Sequence, residues 1–280
     1  MVLEQILDNV RIKRHFLFIY LLSFAFVFVG YFVSVLFFGD SISIAMLFTL
    51  TLLLSPSMAH LINNEEYIER KEGLHHFFRN HKALFKVYFF TFLGVFSGFL
   101  FLGLYIGNST HTFDYQYQFL ENQQGLTTEL IDNFLQHPYI PSFENFIGLF
   151  NENIKVVLIM FILAIFYGAG SIFLVSLNAS VFAAFLVFVI NYLSQVLPHA
   201  LRTIGVFLIH LIPEISGFFI ASIAGCLLSR AILVEKFGTP GFSNILKDCS
   251  LLLLVSAFLI LLGSFLEVYV SSQLMRFALG

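Results

Sequence analysis

Apolar stretches alternate with short polar ones from residue 16 to the end of the chain. A bilayer core takes about 20 mostly apolar residues per helical crossing. Seven segments meet that need: 16–38, 42–60, 85–106, 154–172, 173–193, 212–234 and 249–270. The fourth and fifth form one continuous apolar run. A turn is expected around Gly168, Gly170 and Asn178, where glycines and a polar residue interrupt it.

The pieces between the spans have patterns of their own. Val2, Leu3, Ile6, Leu7 and Val10 recur at helical spacing, which predicts an amphipathic helix on the inner membrane surface. Residues 63–82 are charged and carry His75, His76 and His81; histidines so grouped are able to bind metal, but a solvated cytoplasmic helix is the simpler reading. In the segment 108–153, Phe113, Tyr115, Tyr117 and Phe119 alternate with polar residues, as in an extended strand. Leu126, Leu130, Ile131 and Phe134, then Phe143, Phe146, Ile147 and Phe150, fit two short amphipathic helices capping the bundle. Residues 194–211 hold Pro198, His199, Arg202 and an apolar run too short to cross, which predicts a re-entrant or interfacial helix. Pro213 would then occupy the first turn of the sixth span.

Charge sets the orientation. Arg11, Lys13 and Arg14 precede the first span, Arg70, Lys71, Arg79, Lys82 and Lys86 surround the second-to-third loop, and Arg230, Lys236 and Lys247 surround the sixth-to-seventh. With seven spans all three regions face one side, while 107–153 has no Lys or Arg and faces the other. The N-terminus is therefore expected in the cytoplasm and the C-terminus outside. The fold class expected is an all-α, polytopic helical membrane bundle, and the location is a cell (plasma) membrane. Two parts are expected: 1–82, an amphipathic segment, a transmembrane hairpin and a cytoplasmic loop, and 83–280, a five-span domain with an outer cap at 107–153.

Composition narrows the function. Hydrophobic residues make up 59% and charged ones 11%, which leaves no room for a separate soluble domain of ordinary size. The basic residues form no patch away from the membrane flanks, so nucleic acid is not a partner. The lipid bilayer and other membrane or envelope proteins are the expected partners. The two cysteines, Cys226 and Cys249, are not expected to pair, and no cleavable leader is expected. Asn108 opens a glycosylation sequon.

Ionisable groups at membrane depth need a partner or a purpose. His210 and Glu214 are four residues apart, on one helical face, and Glu267 lies near the same outer end of the last span. His199 and Arg202 are near neighbours in sequence. The structural reading has Glu214 capping its helix with His210 or Arg202 neutralising it. The competing readings are a divalent metal held by the histidine and two carboxylates, or a proton or ion relay. The structural reading is preferred, so no metal and no cofactor are assigned. Gly217, Ala221 and Gly225 repeat every four residues, as do Gly94 and Gly98; such stripes let helices pack closely, within the chain or between two copies of it in a homo-oligomer. No nucleotide-binding loop, nucleophile elbow or paired zinc helix is present in the sequence, and no enzyme activity is expected.

These landmarks resemble the stage II sporulation protein M family over 82–280. Asn153 stands ahead of the fourth span like a family asparagine, Gly168 and Gly170 fall where that helix ends, and Asn178 resembles the asparagine of the next turn. His210 and Glu214 match a His-Gly-x-x-Glu pattern with Leu211 in place of the glycine, and Glu267 resembles the glutamate closing the last span. Ala179 replaces a glycine, and no proline follows Glu267. The first two spans look like an addition. The resemblance implies a membrane component of a complex that includes cell-wall hydrolases in spore formers, a scaffold and not itself the hydrolase. A non-enzymatic scaffold in cell-envelope or membrane remodelling is the first expectation. A transporter or channel for an ion, small solute or lipid, using the His/Glu cluster, is the second.

Overall fold

A backbone in an apolar medium must satisfy its own N–H and C=O groups, and a helix does so within one segment. Every regular element in the computed structural model, which describes residues 16–55, 77–106, 109–124, 127–137, 140–192 and 197–279, is accordingly helical. The elements are α1 (Phe16–Phe38), α2 (Ile42–Ser55), α3 (Phe77–Phe101), α4 (Ser109–Gln124), α5 (Thr128–Gln136), α6 (Phe143–Phe166), α7 (Gly168–Tyr192), α8 (Leu197–Val234), α9 (Pro240–Leu266) and α10 (Ser272–Leu279). Wider π-helical turns follow α3 at Leu102–Ile106 and α9 at Glu267–Ser271.

Among the described residues, six helices are long and apolar enough to cross a membrane: α1, α3, α6, α7, α8, and α9 with its continuation. The expected second span is represented by α2, which at about 1.5 Å per residue is roughly 21 Å long; residues 56–60 lie outside the described set. Gly30 of α1 lies against Met46 and Leu50 of α2, so these two form a hairpin. Gly94 of α3 meets Tyr20 and Gly98 meets Val27, so α1 and α3 run parallel. The chain must therefore return to its starting end between them.

Close helix approach shapes the other half. Gly225 of α8 lies against the Phe161 backbone and Ala164 of α6, while Gly217 lies against Ser256 and Ile260 of α9. Ser256 Oγ donates to the Gly217 carbonyl at 2.8 Å, and Cys249 Sγ reaches the Ala224 carbonyl at 3.3 Å, so α8 and α9 are antiparallel. The small-residue stripes thus face neighbours within the chain, with Ala221 fully buried, and are not free for contact between copies. Both cysteines are buried and unbridged.

Four expectations are corrected. Residues 113–119 are not a strand but part of α4: Phe113 and Tyr117 stack one turn apart at 5.7 Å, and Thr112, Phe113, Gln116 and Leu120 form the buried face. The aromatics alternate at period two, while burial follows the helical period. The second expected cap helix is the first part of α6, whose Ser142 N-cap accepts from the Asn145 N–H at 3.0 Å. The turn between the fourth and fifth spans falls at Tyr167, with Gly168 and Gly170 opening α7; Asn153 and Asn178 lie inside helices, not at turns. Residues 197–211 are not re-entrant. They continue into the sixth span as α8, with Pro213 in its interior. Proline removes one backbone bond there, yet packing on α6, α7 and α9 holds the helix through it. Residues 2–10, where a surface helix is expected, residues 63–76 and the sequon asparagine Asn108 lie outside the described residues.

A methyl group at Gly94 or Gly225 would collide with backbone atoms of the facing helix. Gly94→Ala and Gly225→Ala are each expected to destabilise by about 1–3 kcal/mol, whereas Gly205→Ala, which meets nothing, should be neutral or gain up to about 1 kcal/mol. Thermal unfolding of the three variants in detergent checks this. A Gly225→Ala protein as stable as the parent would contradict the close α6–α8 contact.

Candidate functional site

His210 and Glu214 lie one turn apart on α8, flanking Leu211 and Pro213, and both are buried. Glu267 starts the π-helical turn after α9 and is partly exposed. One ligand atom from each of the three lies within 4.8 Å of the other two, so the expected cluster is real in space. Gly263, one turn before Glu267, makes room for it, because a Cβ there would overlap the Glu214 side chain. Asn153 of α6 donates Nδ2–H to Glu214 Oε1 at 2.9 Å. The His210 ring meets Phe207 edge-on at 5.0 Å.

His199 and Arg202 do not join this group. Both are exposed in the first turns of α8, and Arg202 is twelve residues from Glu214, about 18 Å along the helix. No Lys or Arg among the described residues makes an ion pair with Glu214 or Glu267. Glu214 is also not in a helix's first turn, since α8 begins at Leu197. The cluster therefore lacks the neutralising arginine and the free backbone N–H groups that the structural reading invoked. Two carboxylates and an imidazole so placed can share a proton or hold a cation.

At the opposite end of the bundle a second polar group appears that sequence reasoning missed. His81 of α3 is buried, with Nε2 2.9 Å from Asp248 Oδ2 of α9. The solvated-helix reading of residues 63–82 is thus corrected at His81. The Tyr88 hydroxyl lies 3.4 Å from Ser171 Oγ, which lies 3.7 Å from Cys226 Sγ. A signal for Asp248 existed: Thr239 caps α9 and Pro240 sits at its start, a helix-opening pair that places Asp248 inside the helix. Asn153 had a signal too. The apolar spacing of Phe143, Phe146, Ile147, Phe150 and Ile154 runs unbroken into the span, which puts Asn153 inside a helix.

The cap over the cluster end is anchored to the bundle. Gln116 donates to Ser180 Oγ at 3.0 Å, the Tyr115 N–H donates to Ser43 Oγ at 3.1 Å, and the Tyr192 hydroxyl donates to the Asp132 carboxylate at 2.9 Å. Phe146 packs edge-on against Phe265 at 6.4 Å. Burial, and then the nearby Asp114, push the Tyr117 hydroxyl up to about 12, so the cap's charge comes from its carboxylates.

A sequence profile of the family Stage II sporulation protein M matches residues 21–272. The matched range reaches back into α1, ahead of the 82–280 range that the motifs cover. No curated protein and no solved structure matches the chain.

Truncating Asn153 would leave Glu214 Oε1 buried without its donor. Asn153→Ala is expected to cost about 1–3 kcal/mol, while Asn151→Ala, at an exposed position, should stay within about 0.5 kcal/mol of the parent. Denaturant unfolding in mixed micelles measures both; equal stabilities would show that the Asn153–Glu214 bond contributes nothing.

Proposed function

Because the chain belongs to the stage II sporulation protein M family, we propose that it is a non-enzymatic membrane scaffold of the cell envelope, docking partner proteins through its cap. The bundle sits in the plasma membrane with the cap end outside. The observation that carries this reading is the charge of the cap. Glu121, Glu129, Glu144 and Glu152 are exposed, Asp114 is half-exposed, and no Lys or Arg occurs between residues 107 and 153. A surface of one sign, held in place by bonds to α2 and α7, suits a partner with a basic face. Lys155, bound to Glu152 at 2.6 Å, is the first cation after it.

A second reading, passage of an ion, small solute or lipid, draws on the polar cluster within apolar helices. It loses the broken helix expected to accompany it, since α8 is continuous.

Charge reversal tests docking better than deletion, because α4 is packed and its removal would expose Phe113 and Leu120. The variant Glu121→Lys, Glu129→Lys, Glu144→Lys is expected to retain its melting temperature and to lose the proteins that cross-link to the parent in native membranes. An unchanged set of cross-linked proteins would refute docking through the cap. For the second reading, Glu214→Gln and Glu267→Gln in proteoliposomes should lower flux of the transported species; flux equal to the parent in both removes the cluster from any such path.

A further inference from the structure

We propose that His210, Glu214 and Glu267 form a binding site for a divalent transition-metal ion of the Zn²⁺ or Mn²⁺ class, which latches α8 to the end of α9. This goes beyond the docking function and does not depend on it.

The first support is geometry. The three ligand atoms lie within 4.8 Å of one another. Ligands about 2.0–2.2 Å from an ion stand within about 4.4 Å of each other even across it, so small side-chain rotations close the set. His210 and Glu214 present one face of α8, and Glu267 approaches from the π-helical turn. Such turns re-aim side chains and recur at functional sites.

The second support is charge. When ionised, the two carboxylates put two negative charges into an apolar bundle, and no Lys or Arg among the described residues pairs with them. A neutral imidazole, two carboxylates and a divalent cation sum to zero. One bound proton leaves a net charge there, which is costly in a medium of low dielectric; only two protons or one divalent cation neutralise the pair, so the ion competes with protons for the site.

The third support is a want of partners. His210 is 6% exposed, and its Nδ1 is buried with no hydrogen-bond partner among the described residues. A bare imidazole nitrogen so placed offers its lone pair to a hydrogen-bond donor or a metal ion. The surroundings also resemble the outer layer of a metal site. Asn153 fixes one oxygen of Glu214 at 2.9 Å, and Gly263 leaves the carboxylate its space. Partners of this kind orient ligands and tune affinity. The imidazole selects against Mg²⁺ and Ca²⁺, which prefer all-oxygen shells.

The test uses the full chain, free of any histidine tag, in lipid nanodiscs after chelator treatment. Equilibrium dialysis with Zn²⁺ alone and with Mn²⁺ alone, read by mass spectrometry, should show saturable binding near one ion per chain. Mg²⁺ should not compete. His210→Ala, Glu214→Gln and Glu267→Gln should each lose the saturable ion, and Asn153→Ala should weaken it about 10–100-fold. The double variant His75→Ala, His76→Ala should bind like the parent. Because an ion that binds only the folded chain stabilises it, Zn²⁺ or Mn²⁺ should raise the parent's melting temperature and leave that of Glu267→Gln unmoved. Glu267 is partly exposed, so this variant is expected to fold even if the buried substitutions do not. No saturable ion in the parent, binding retained in Glu267→Gln, or binding lost in the His75/His76 variant would each overturn the proposal.

Discussion

The hydrogen bond from Asn153 to Glu214 brings three helices to one point. α6 supplies the donor, α8 the carboxylate, and α9 the gap at Gly263 into which that carboxylate fits. A carboxylate at such depth demands a fixed environment, since an unpaired buried oxygen costs more than the bond itself contributes. The remaining contacts of α8 serve that demand. Gly217 and Gly225 let α9 and α6 approach to backbone distance, and Ser256 closes the α8–α9 contact with a bond to the Gly217 carbonyl. Without those approaches Glu214 would have neither donor nor neighbour.

The cap and the cluster lie at the same end of the bundle. α4 and α5 are tied to α7 and α2 through Ser180, Tyr192 and Ser43, while the first turns of α6 rest on Phe265 and Tyr269 next to Glu267. The His81–Asp248 pair lies at the other end, on α3 and α9, so α9 carries a buried polar contact at each end of its length.

Much of this was legible in the chain. Hydrophobic run length located six of the seven expected spans among the described residues, because the bilayer sets that length physically. The pairing of His210 with Glu214 followed from helical spacing, and Glu267 joined them because the last two spans run antiparallel. What failed were local readings made without tertiary context. The alternation of Phe113, Tyr115 and Tyr117 suggested a strand, yet the buried residues Phe113, Gln116 and Leu120 follow the helical period. Pro213 suggested a helix start, but a proline inside a helix is tolerated where packing on three neighbours holds the backbone. Arg202 looked like a counter-charge only while residues 194–211 were folded back on the cluster; in a continuous α8 it is exposed and three turns away. For contacts between distant segments, such as Asn153 with Glu214 or His81 with Asp248, local signals place each residue on its helix but do not name its partner.

Glu214, which is buried, and Glu267, which is partly exposed, act as one coupled unit. A double-mutant cycle on unfolding free energy, with Glu214→Gln, Glu267→Gln and the double variant, tests this coupling directly. Coupled carboxylates give an interaction energy of about 0.5–3 kcal/mol. Effects that add to within about 0.3 kcal/mol would show the two side chains to be independent and would contradict the account.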